Sequence, residues 1–250
     1  MKIQLCLSGG GARGFAHLGI VQGLSELGFE IIRISGTSAG AIAGSFIAAG
    51  YAPEEILDIF IQKKLYRMVS GAFSRGLLKF DGVEKLVKQY LPENFQDLKI
   101  PLIINATDLL SGRTIYFEEG PLARVIMASA SIPGIFKPVS MGDYLLSDGG
   151  VLNNLPVEPL LSHSYPVIGV HVNPVGKIVA PSSAWAVLER TFHLSVYSNT
   201  EVREHRCDVL IEPSALQGIK VFDYDRARDC YRTGYEEVMH RADELLEKYL

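Results

Sequence analysis

The stretch Ile31–Gly50, "IIRISGTSAGAIAGSFIAAG", decides the fold. An apolar run ends at Ser35, and Gly36-Thr37-Ser38-Ala39-Gly40 follows at once. A segment of small and apolar residues then runs to Ala49. This is a strand turning sharply into a helix, the setting of a nucleophile elbow, G-x-S-x-G. Gly36 and Gly40 leave room for the bend and for close helix packing. Ser38 reads two ways: as the cap of the following helix, or as a nucleophile held at the helix's positive end. On the pentapeptide alone both readings stand.

Outward from the elbow, strand-like and helix-like segments alternate. "KIQLCL" reads as a buried strand, and Phe15–Leu27 as a helix stopped by Gly28. "EIIRIS" is the next strand and Ala39–Ala49 the next helix. Pro53 opens another helix, with Glu54 and Glu55 where its dipole favours acids. Asp81 caps a helix through Tyr90. "PLIINATDL" and "RTIYFEEG" are strands around an "LSGR" turn, and Pro121 opens a short helix to about Ser131. "DYLLSDGG" is a strand into a glycine turn, and "YPVIGVHVNP" a continuous buried strand. Ser182–Arg203 is helical, "DVLIEP" a late strand, and Asp225–Leu250 one long helix. Such alternation specifies an α/β fold with a mostly parallel central sheet and helices on both faces. Nothing resembling a linker divides the 250 residues, so one domain is expected.

Composition removes several function classes. The net charge of −4 supplies no global field for nucleic acid. Three cysteines, widely spaced, suggest neither a disulfide framework nor zinc, and favour a reducing compartment. No stretch has the length of a spanning helix, and "MKIQLCLSGGG" lacks the signal-peptide pattern. A cytoplasmic protein is the expectation. Phe60–Phe80 interleaves Lys63, Lys64, Arg67, Arg75 and Lys79 with large apolar residues and no acid. It is read as a core-packed helix and solvated loop, or as a lid touching anionic headgroups at the inner membrane face.

The first strand leads into "SGGGARG". Gly9, Gly11 and Gly14 satisfy G-x-G-x-x-G, but a dinucleotide site wants an acid at the end of the second strand. Glu30 stands before that strand, and its end is occupied by the elbow. The same glycines can aim backbone N–H groups at an oxyanion instead, with Arg13 holding the loop's shape or adding charge. Parallel strands bring this loop and Ser38 to one sheet edge. For a base, Ser38, Asp148 and a later histidine would follow the α/β-hydrolase order. Alternatively Asp148, in "LLSDGGVLNN", acts directly, or is simply an Asp-Gly turn.

Together, "GGGARG" at 9–14, "GTSAG" at 36–40 and "DGG" at 148–150 closely resemble the patatin-like phospholipase family, in its bacterial branch akin to neuropathy target esterase. "ATDLLSGRTIYF", "ASASIPGIFKPV" and "DGGVLNNLPV" look like that family's intermediate segments, and the likeness covers roughly residues 3–172. The resemblance implies a three-layer sandwich and a Ser38–Asp148 dyad. It implies an oxyanion site at Gly9, Gly10 and Gly11 near Arg13, with Gly14, Gly36, Gly40, Gly149 and Gly150 as motif glycines. It further implies cleavage of fatty-acyl esters in phospholipids or lysophospholipids without metal or cofactor. His171 departs from it, standing where similar proteins often carry an acid. Acyl transfer to another acceptor would use the same residues, and a non-catalytic nucleotide-binding module would use the glycine loop alone.

Overall fold

The computed structural model describes residues 1–62 and 81–249. Most of the Phe60–Phe80 stretch, from residue 63 onward, lies outside them, and the lid expectation with it.

In chain order the elements are β1 (Lys2–Leu7), α1 (Phe15–Glu26), β2 (Glu30–Gly36), α2 (Ala39–Ala49), α3 (Pro53–Gln62) and α4 (Asp81–Tyr90). β3 (Leu102–Asp108), β4 (Arg113–Phe117), α5 (Leu122–Ser129), β5 (Val139–Met141) and β6 (Tyr144–Asp148) follow. The chain continues with β7 (Val167–Val170), α6 (Ala184–Glu204), β8 (Val209–Ile211), α7 (Ala227–His240) and α8 (Ala242–Tyr249). The strands form one mixed sheet flanked by helices, in the order β5-β6-β3-β2-β1-β7-β8, with β4 on the other edge of β3. The run from β3 to β8 is parallel, whereas β4, β5 and β6 are antiparallel additions.

Alternation along β1 sorts its side chains. Ile3, Leu5 and Leu7 enter the main core with Leu18, Leu24 and Phe46. Cys6 faces a smaller core with Leu155, Val157 and Leu160, as the two-residue strand period requires. Each fully buried aliphatic side chain contributes about 1.5–3 kcal/mol. Gln4, on the Cys6 side, is fully buried and donates from Nε2 to the carbonyls of Leu160 (3.1 Å) and Tyr165 (2.7 Å).

α1 and α7 approach closely enough that a Cβ on Gly19 would lie 1.9 Å from the Tyr231 carbonyl oxygen. A Cβ on Gly234 would lie 2.2 Å from that of Ala16. The glycines therefore set the helix spacing.

Three segments differ from the sequence reading. The terminal helix is not continuous: α7 ends at His240, and Arg241 leaves helical geometry (φ −100°, ψ 15°) before α8. Its guanidinium is drawn to the Leu210 carbonyl (2.8 Å) and to Glu244, so a tertiary tether stands at the break. The "YPVIGVHVNP" strand pairs only as far as Val170. Beyond it, His171 N donates to Ile211 O (3.0 Å) and Val172 N to Ser8 Oγ (3.1 Å), so the segment bends into the loops at the sheet edge. Last, β5 is a three-residue strand that the sequence does not announce.

Candidate active site

β2 and β6 lie on the same edge of β3, because β4 takes the other. Gly36 of β2 is opposite Ile104, and Asp148 of β6 is opposite Ala106. β2 runs parallel to β3 and β6 antiparallel, so their carboxyl ends point at each other. Only Asn105 separates the two registers, a gap of about 7 Å along the strand. Ser38 and Asp148 therefore meet although they are remote in sequence.

Asn105 fills the gap. Thr37 Oγ1 donates to its Oδ1 at 2.5 Å, and its Nδ2 donates to the Asn153 carbonyl at 2.8 Å. The elbow and the acid's turn thus share one buried amide.

Ser38 has φ 52° and ψ −116°, and among the described residues it is the one non-glycine with positive φ. Such a conformation costs about 1–3 kcal/mol and persists only where its surroundings enforce it. Here Ser38 N donates to Ser129 Oγ at 2.9 Å, and Gly40 N to the Thr37 carbonyl at 2.8 Å. Gly40 carries the close packing: a Cβ there would lie 2.3 Å from the Leu7 carbonyl oxygen. Ser38 occupies the cap position of α2 without a side-chain capping bond. Its hydroxyl instead interacts with the Asp148 carboxyl.

Asp148 is buried, and its carboxyl pKa is pushed up to about 6. Burial raises it; the Ser38 hydroxyl and the Gly150 N–H, which donates to Oδ1 at 2.8 Å, pull the other way. An acid with this pKa is ionised at neutral pH yet basic enough to accept a proton.

The glycine loop lies against the serine. A Cβ on Gly9 would be 3.1 Å from Ser38 Cβ, and one on Gly14 would be 2.6 Å from Ala39 Cβ. Gly9 N donates to Asn154 Oδ1 at 3.1 Å, so this N–H is already engaged. The Gly10 and Gly11 N–H groups have no hydrogen-bond partner among the described residues. Arg13 is buried, with Nε on the Ile219 carbonyl (2.7 Å) and Nη1 on Asn173 Oδ1 (3.3 Å). Asn173 Nδ2 in turn donates to the Gly9 carbonyl at 2.6 Å. Arg13 therefore braces the loop through Asn173. Gly149 packs on Asn105, where a Cβ would lie 2.6 Å from the carbonyl oxygen.

Three of the histidines are engaged elsewhere. His17 Nε2 pairs with the Ser8 carbonyl (2.8 Å), and burial lowers its pKa to about 4. His193 Nε2 lies 3.4 Å from the Asn173 carbonyl, and burial beside Arg13 lowers it to about 4 as well. His171 pairs with Glu212. Among the described residues no histidine hydrogen-bonds to Ser38.

An apolar cavity opens on Ser38, lined among others by Ile42, Phe60, Ile61, Val83, Ile132 and Phe136. Sequence reading did not find Asn105, Ser129, Asn154 or Asn173. The only available signal was the "LNN" following the Asp-Gly-Gly turn.

Over residues 5–161 the sequence matches the model of the family described as patatin-like phospholipase. The chain belongs to the patatin-like phospholipase family. Among its relatives is an NTE family protein of Mycobacterium tuberculosis, 37% identical over 163 residues, which cover 64% of this chain and 45% of the relative. The patatin-like chain thus spans about half the length of such relatives. The lysophospholipase NTE1 of Cryptococcus neoformans is 28% identical over 243 residues, covering 88% of this chain and 15% of that enzyme. Among solved structures, VipD from Legionella pneumophila has the same fold, with a TM-score of 0.56 at 16% identity, over 97% of this chain and 67% of that one. Within the patatin-like chain, no described helix is long and apolar enough to cross a membrane.

Proposed function

We propose that the protein is a serine acyl hydrolase that cleaves fatty-acyl esters of phospholipids or lysophospholipids. The observation that carries this reading is the strained Ser38 facing a buried acid whose pKa is raised to about 6. Ser38 Oγ attacks the ester carbonyl as its proton passes to Asp148. The negative charge on the carbonyl oxygen is met by the N–H groups of Gly10 and Gly11. Each aligned donor is worth about 3–4 kcal/mol to the transition state. Collapse expels the alcohol, which takes the proton back from Asp148. Water, deprotonated by the same carboxylate, then releases the fatty acid from Ser38.

The apolar lining beside Ser38 supports a hydrocarbon acyl chain as the bound portion. The family and the named activity of the NTE1 relative support a lipid ester. Contact with the inner face of a membrane is part of the proposal, because the substrate resides there.

Labelling by a fluorophosphonate probe, with mass-spectrometric mapping of the adduct, tests the reading. The adduct is expected on Ser38, and Ser38→Ala should be unlabelled and inactive on lysophospholipid. Labelling at another residue, or none with a folded chain, overturns it.

A further inference from the structure

His171 has a setting that the proposed reaction does not use. It follows β7 directly, Glu204 ends α6, and Glu212 follows β8 directly. Three separate elements therefore deliver one imidazole and two carboxylates to one point. His171 is fully buried. Its Nδ1 lies 2.5 Å from Glu212 Oε2 and 3.5 Å from Glu204 Oε1. One donor atom from each of the three residues falls within 4.8 Å of the others.

We propose that His171, Glu204 and Glu212 form a binding site for a first-row divalent transition-metal ion such as Zn2+. Charge balance is the first argument. Two carboxylates converge on a single imidazole, which cannot by itself match both, and Glu201 stands close enough to act on Glu204 as well. A dication neutralises what the imidazole cannot. Unsatisfied valence is the second: Glu204 Oε1 is buried and has no hydrogen-bond donor among the described residues. Such an oxygen is costly unless a cation or donor reaches it.

Donor chemistry is the third argument. A mixed nitrogen and oxygen set suits zinc and its neighbours, whereas calcium and magnesium prefer oxygen alone. Three protein ligands with a fourth position left to water is a common zinc arrangement. Ligand atoms around a tetrahedral ion stand about 3.3–3.6 Å apart, from bond lengths of about 2.0–2.2 Å. The Glu204 contact already has that spacing, and the Glu212 contact has to open by about 1 Å. The Glu204 and Glu212 side chains are 20% and 31% exposed, so solvent reaches the site.

The ion would act as a brace. The His171 backbone continues into Val172, which donates to Ser8 Oγ, and Asn173, which holds Gly9 and Arg13. Fixing the imidazole fixes the strand end on which the glycine loop hangs.

The test uses the full chain, stripped with a chelator and dialysed, then titrated calorimetrically with Zn2+ and by absorption with Co2+. One equivalent of Zn2+ should bind and raise the melting temperature. Glu204→Gln and Glu212→Gln, on partly exposed positions, should each weaken binding at least about tenfold, the smallest loss typical even of outer-shell changes. His171→Gln should do the same, and circular dichroism establishes that each variant is folded. A double replacement of His163 and His240 by Ala should retain the equivalent. Absence of binding to the folded parent overturns the proposal and leaves a hydrogen-bonded histidine–carboxylate bracket. Binding that survives Glu204→Gln and Glu212→Gln, or that disappears in the His163/His240 double variant, overturns it equally.

Discussion

Gly36 and Asp148 end two strands that run toward each other along one edge of β3, opposite Ile104 and Ala106. A single sheet edge therefore fixes the separation of the serine elbow from the acid. No loop has to search for the other, and the intervening Asn105 hydrogen-bonds to both sides.

The raised pKa of Asp148 sets the pH dependence expected of the proposed reaction. The proposed base works ionised, so kcat/KM for a soluble ester should rise with pH through about 6 and level off above it. A rising limb centred near 4 would show that burial does not perturb this carboxyl.

Stability should respond in the opposite sense. The folded-state pKa of Asp148 is about 6 against an ordinary value of 3.8. The folded state thus holds this proton more tightly, and stability declines as pH rises from about 4 through 6. Asp148→Asn removes the cost of the buried charge. At pH 8 it should gain on the order of 2–3 kcal/mol while losing ester cleavage, as about two pKa units imply. Urea denaturation of both proteins at pH 8 decides, and a variant no more stable than its parent contradicts the argument.

His17 pulls the other way. Its pKa falls from 6.5 to about 4, so its contribution is present above 6.5 and is lost as pH drops toward 4. The two groups titrate over overlapping ranges with opposite sign. His193, also lowered to about 4, acts in the same sense as His17, so the parent should lose stability with acid between about pH 6 and 4.5, offset in part by Asp148. In Asp148→Asn that offset is gone, and unfolding free energy should fall more steeply with acid than in the parent. Equal slopes in the two proteins would refute the opposition.

Ser129→Ala tests what holds the elbow. The substitution leaves the buried Ser38 N–H without its acceptor, at a cost of about 1–3 kcal/mol. Ser38 can then relax from its strained backbone, so kcat should drop by more than KM changes. A variant that loses stability but keeps kcat would make the hydrogen bond merely structural.

Gly9→Ala should be more damaging to catalysis than to folding. The added methyl would lie 2.6 Å from Asn154 Oδ1 and 3.1 Å from Ser38 Cβ, displacing the loop from the serine. Loss of its aligned donors should lower kcat by about a hundredfold or more. Steady-state kinetics, with melting temperature as the control, would show it.

Much of this architecture was legible because local pattern and tertiary role agree. The helix expected at Ala39–Ala49 has those bounds, since a run of small apolar residues packs closely only as a helix here. Alternation in "KIQLCL" gave β1. Legibility failed where distant contacts decide. Nothing near Arg241 breaks a helix by propensity; the Leu210 carbonyl that holds it lies in another strand. The direction of β6 is likewise a property of its pairing with β3. Ser129, Asn105 and Asn154 are polar residues in or beside apolar runs, without periodic relation to Ser38, and their value appears only when those runs meet. Asp148 stood out by family resemblance, because an Asp-Gly turn is by itself unremarkable in sequence.

The family match ends at residue 161, yet β1 pairs on one side with β7, which begins at Val167. A polypeptide shortened to the matched region would leave β1, carrier of the glycine loop, as a bare sheet margin with unpaired amides, and would uncover the α1 surface against which α7 lies. Such a margin recruits strands from other molecules. The shortened protein should accordingly precipitate or self-associate, because the last third of the sequence supplies the strand that closes this margin.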